Sequence, residues 1–149
     1  MVRSILAVIG SYIAMCILVM ALFMAMWFGL GLDVLLKPGS FQGSIVITIL
    51  APAISLVCGI FGGWLCATIA RSLKPVTALS LLVLILGLVM AYFTLQKPYP
   101  ADPRPAGMTV QQLMEVGREP NWFAIANPII GAVAVMIGGR LRGKPRTIA

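Results

Sequence analysis

Histidine does not occur anywhere in the chain. Its absence removes imidazole ligation of haem, histidine-containing zinc sites and histidine-based catalytic triads from consideration. Acids are scarce as well: Asp33, Asp102, Glu115 and Glu119 are all four of them, against eleven basic residues. None of the four falls inside a long apolar run. Proton- and cation-coupled carriers depend on an ionisable group within the membrane, so this composition argues against that class. No phosphate-binding loop, G-x-S-x-G elbow or dinucleotide fingerprint is present, which leaves the common enzyme signatures unmatched. The three cysteines, Cys16, Cys58 and Cys66, form no C-x-x-C pair. Cys58 and Cys66 would stand roughly 12 Å apart along a helix, beyond disulfide reach, and they read as small packing residues. The chain is therefore expected to be no enzyme and to need neither a cofactor nor a metal.

What the chain has in abundance is apolar surface. Sixty per cent of its 149 residues are hydrophobic and only 10% are charged, with a mean hydropathy of +1.03. That balance lies outside the range of soluble domains and identifies an integral membrane protein. Uncharged apolar segments run over about 5–32, 44–70, 76–95 and 122–139, each roughly long enough to cross a ~30 Å hydrocarbon core at 1.5 Å per residue. The expected fold is all-α: one domain over 1–149, an integral membrane bundle of four transmembrane helices with a short external surface helix. The first segment follows Arg3 but is too long for the apolar part of a signal peptide and lacks an A-x-A cleavage pattern, so it is expected to remain as a span.

The charges supply an orientation. Arg3, Arg71, Lys74, Arg140, Arg142, Lys144 and Arg146 sit at the ends of apolar segments, and four alternating spans place them all on one side and all the acids on the other. The positive-inside rule makes that side cytoplasmic, for a multi-pass inner (plasma) membrane protein with both termini cytoplasmic and 96–121 outside. Nucleic-acid binding is not expected, because topology already accounts for the basic residues. The bilayer itself is the expected partner, with Arg140, Arg142, Lys144 and Arg146 as candidate contacts to anionic headgroups.

Small residues recur every fourth position in the second segment, at Ala51, Ser55, Gly59, Gly63 and Ala67. This spacing lines one side of a helix and lets another backbone approach closely, which is how helices associate in lipid. Gly138 and Gly139 near the end of the last segment belong to the same set of packing candidates, and Ala21, Ala25 and Gly29 form a second stripe on the first span. The inner half of the main stripe is expected to pack on the fourth span. The short turn Arg71–Pro75 predicts that spans two and three are antiparallel neighbours.

Between the third and fourth spans, Pro98, Pro100, Pro103 and Pro105 predict an extended strap. Thr109 and Gln112 then make a capping box, and Met108 is placed to staple against Leu113. A helix over 109–116 should share Val110, Leu113 and Met114 on one face. Asn127-Pro128 suits either a kink in a helix starting at Trp122 or the first turn of a shorter one. Aligning Pro52 with Pro128 also aligns Gly62-Gly63 with Gly138-Gly139 and Leu65 with Leu141, a pattern of parallel repeats whose matched interruptions would point to a binding site.

With four spans, and Gly-Gly before basic residues at the ends of spans two and four, the chain resembles the many small four-span proteins of bacterial inner membranes. The resemblance implies a location and no activity. Packing stripes without catalytic chemistry favour an accessory or assembly subunit that packs against itself or a larger membrane complex. The alternative is an oligomeric small-solute transporter or channel with its pathway at the Pro52 and Pro128 helix breaks.

Overall fold

The computed structural model describes residues 2–98, 100–101, 103–105, 107–116 and 120–142, with the backbone alone at 114–116. Among the described residues, four helices are long and apolar enough to cross a membrane, and the chain is a multi-pass, all-α membrane protein. They are α1 (Val2–Leu30), α3 (Ile45–Ala70), α4 (Lys74–Gln96) and α6 (Asn121–Leu141), joined by two short helices, α2 (Leu32–Leu35) and α5 (Val110–Val116).

Local chemistry sets the ends of these helices. The 29 residues of α1 would measure about 43 Å, more than the hydrocarbon needs. Gly31, with φ of 77°, then turns the chain into α2. Ser44 caps α3 by accepting from the Val46 N–H at 3.2 Å, and donates its own hydroxyl to the Val34 carbonyl at 2.7 Å. At the other end Arg71 adopts the left-handed conformation, φ 56°, and its N–H donates to the Ala67 carbonyl. Ser72 and Leu73 lead from there into α4, with Pro75 in its first turn. Both α3 and α6 run unbroken through their internal prolines, Pro52 and Pro128. Of the two forms foreseen for the last span, α6 takes the longer, starting at Asn121.

Around the bundle the order is α1, α3, α6, α4, with the closest packing between α3 and α6 and sparse contact between α1 and α4. This corrects the expectation drawn from the short turn. Residues 71–73 do join α3 to α4, but α6 packs extensively against both while they meet each other only sparsely. The physical reason is the glycine content: α3 and α6 both offer small residues at which backbones can touch, whereas leucine-rich α4 offers few.

Two apolar cores result. One lies within the spans and contains Ala7, Met15, Cys58, Cys66, Ala67, Val76, Leu79 and Val135. The other lies beyond the helix ends, where Leu36, Phe41 and Leu113 pack with Trp27, Leu32 and Met108. This second core joins the end of α1, the α2 hairpin and α5 into a cap.

Candidate functional site

The seam between α3 and α6 is built from glycine. A methyl group added at Gly63 would collide with the Val135 carbonyl of α6, and one added at Gly138 would collide with the Ile60 carbonyl of α3. At Gly59 it would lie 2.5 Å from the Ala134 side chain. These contacts are reciprocal, because a shift of 75 positions carries Gly59, Ile60 and Gly63 onto Ala134, Val135 and Gly138. The two helices run parallel here. The register differs by one residue from the alignment of Pro52 with Pro128, and one residue is about 100° of rotation on a helix. Packing follows the small-xxx-small pairs 59/63 and 134/138, and the prolines therefore occupy different faces. Pro128 meets α4 beneath Gly87, at which an added methyl would lie 2.7 Å from its ring.

Ala51, Ser55, Gly59, Gly63 and Ala67 are all buried within the chain, as are Gly138 and Gly139. Gly139 faces α4 and not α3, since a methyl group there would meet Val76 at 2.5 Å. The stripe on α1 is placed differently. Ala21 and Ala25 are exposed, and open space lies over Gly29 and over Gly10.

Hydroxyls within the spans are mostly satisfied locally. Thr48, Ser55 and Thr68 donate one turn back to Ser44, Ala51 and Trp64, and Ser80 donates across to the Ala132 carbonyl of α6 at 2.9 Å. Each of these four hydroxyls thus avoids the cost of an unpaired polar group in hydrocarbon.

One end of the bundle is uniformly basic. Arg3 Nε donates to the Ile69 carbonyl at 2.7 Å, and the Arg142 guanidinium donates to the Ala67 carbonyl. Both reach carbonyls in the last turn of α3, where Ala67 also accepts the Arg71 N–H and a cation is favoured by the helix dipole. Arg71, Lys74 and Arg140 share this end, and no carboxylate does among the described residues. Lys144 and Arg146 lie outside the described residues.

The opposite end carries the cap. Thr109 and Gln112 form a reciprocal capping box, with the Thr109 N–H donating to Gln112 Oε1 at 3.0 Å and the Gln112 N–H donating to Thr109 Oγ1 at 3.3 Å. Leu113 is buried against Phe41 and Leu36, with Met108 beside it. Val110 is half-buried, and the Met114 side chain lies outside the described set. From the strap, Arg104 pairs with Asp33 of α2 at 2.6 Å and donates its backbone N–H to the Gly39 carbonyl at 2.8 Å. These links tie strap, hairpin and α1 end together.

Between the cap end and mid-depth lies a cleft of about 480 Å³ to which all four spans contribute. Tyr12 and Met15 come from α1, Ser55 and Cys58 from α3, Val83 to Thr94 from α4, and Ala124 to Gly131 from α6, with Lys97 at the mouth. Asn127 borders it with a buried Oδ1 that has no hydrogen-bond partner. Pro128 supplies no N–H to the Ala124 carbonyl one turn back, so that acceptor is also released beside the cleft. Pro52 does not line it. The cleft was not legible in the sequence, where Asn127-Pro128 was the one local sign of it. Towards the basic end it stops above fully buried Ser11, Cys66, Leu79 and Val76. Among the described residues no group of histidine, cysteine or acidic side chains is placed to hold a metal.

No protein-family model, curated protein or solved structure matches the chain. Its function is therefore argued from its own geometry.

Proposed function

We propose that this protein is a non-enzymatic accessory or assembly subunit that docks another transmembrane helix against the cap-end half of α1. The observation that carries this reading is the uncovered small-residue stripe of Ala21, Ala25 and Gly29. The equivalent surface on α3 is already covered by α6, so it cannot serve an outside partner. The α1 stripe has the spacing that lets helices approach in lipid, and among the described residues nothing covers it. The basic end faces the cytoplasm of the inner membrane in this reading, as the positive-inside rule requires. Replacing Ala25 by Leu should leave the thermal stability of the protein unchanged while reducing the size of the complex isolated in mild detergent. An unchanged size after Ala25→Leu rejects the reading.

The cleft beside Pro128 supports the alternative, an oligomeric small-solute transporter or channel. A solute would also have to pass the buried layer at Ser11, Cys66 and Leu79. Water-accessible labelling of cysteines introduced at that layer would favour transport over docking.

A further inference from the structure

We infer that the cap holds a binding site for a free α-amino acid with an apolar side chain, built on the pair of Asp33 and Arg104. An imbalance within that pair carries the argument. The Arg104 side chain is only 9% exposed, whereas that of Asp33 is 92% exposed. A guanidinium offers five N–H donors, and among the described residues the side-chain acceptor it meets is Asp33 Oδ1, at 2.6 Å through Nη2. Its Nη1 is buried with no hydrogen-bond partner. A charged donor shut away from water without an acceptor is costly, and a ligand oxyanion beside it removes that cost.

Space for a ligand adjoins the pair. Arg104 and Asp33 both line a cavity of about 370 Å³, together with Leu32, Pro105 and Met108. That volume is at the small end of ligand-sized cavities, so it suits one small molecule. Gly39 and Gly107 complete the lining, with open space where a Cβ would stand on each.

Charge selects the ligand. Asp33 and Arg104 together are neutral, and a simple anion seated here would lie against the Asp33 carboxylate as well as the guanidinium. A zwitterion avoids that repulsion, because its oxyanion faces Arg104 and its ammonium faces Asp33. The two side chains are in contact, so the ligand's own charges have to be adjacent, as they are when ammonium and carboxylate share one carbon. A carboxylate also matches the planar fork of a guanidinium. Leu32 and Met108 belong to the apolar cap core with Trp27, and with Pro105 they offer contact to an apolar side chain.

The test is calorimetric titration of the intact protein in phosphatidylcholine nanodiscs with leucine, valine and methionine. Saturable binding of at least one of them is expected. For a leucine site, isocaproate, which lacks the ammonium, and leucine methyl ester, which lacks the carboxylate, should each bind about tenfold more weakly, the loss expected for one charge-assisted contact. In ε-aminocaproate both charges are present but far apart, and it should be weaker too. Asp33→Asn should erase the preference for leucine over isocaproate, and Arg104→Gln the preference for leucine over its methyl ester; a merely structural pair would not divide in this way. No saturable binding by any of the three amino acids overturns the proposal, as does equal binding of isocaproate or ε-aminocaproate. Displacement of the amino acid by phosphatidylethanolamine added to the nanodiscs also overturns it, because a lipid headgroup would then fill the cavity. The analogue series on the unaltered protein decides the matter even if either variant loosens the cap.

Discussion

Single residues control the closest approaches in this molecule, and glycines of equal standing in the sequence have unequal roles. Gly63 and Gly138 each face a backbone carbonyl of the partner helix, and a carbonyl held in a helical ladder cannot swing aside as a side chain would. Gly63→Ala or Gly138→Ala should therefore destabilise the bundle by about 1–3 kcal/mol or part the two helices. Gly10→Ala, over open space, should be neutral or slightly stabilising, since alanine exceeds glycine in helix propensity by about 1 kcal/mol. Thermal unfolding of the three variants in one detergent checks both statements. Membrane insertion should be unaffected, because the added methyl favours hydrocarbon, and a loss must come from packing. Arg71 is the converse case: a side chain stands where the backbone is left-handed. Arg71→Gly should relieve roughly 1 kcal/mol of local strain, visible as a raised unfolding temperature.

At the scale of elements, α5 shows how a short helix becomes stable outside the membrane. Seven residues are too few to hold a helix by backbone hydrogen bonding alone. Its capping box satisfies two N–H groups at the start, and Leu113 fixes it to the hairpin between α2 and α3. Thr109→Ala should weaken the helix by about 1 kcal/mol, measurable as faster amide exchange at Leu113 with no change in the spans. Leu113→Ala should loosen the whole cap, because its side chain joins α5 to Phe41 and Leu36. The two stripes of small residues are a second lesson at this scale. On α3 the stripe is covered by α6, and on α1 it is open, although the two look alike as sequence.

For the whole molecule, the charge distribution and the fold agree on one arrangement: a basic end held together by Arg3 and Arg142, and a cap end held together by Arg104 and Asp33. Reporter fusions after residue 149 and near Gly107 should report opposite sides of the membrane, and a report of the same side would contradict four spans. The number of spans and the capping box at Thr109 were legible from residue order, because hydropathy and capping are local properties. The reading of α3 as a close-packing helix was legible too, since a small residue every fourth position is a property of one helix by itself. The order of helices around the bundle was not: the short turn Arg71–Pro75 suggests that α3 and α4 pair, whereas the close backbone contacts between α3 and α6 bring α6 between them. The alignment of Pro52 with Pro128 lies one residue from the packing register, because packing is decided by which small residues face each other. Tertiary structure alone decided which stripe is covered, that Arg104 meets Asp33, and that Pro128, but not Pro52, borders a cleft. Each of these depends on side chains far apart in the chain meeting at a particular rotation of their helices, and rotation is set by the partner surface.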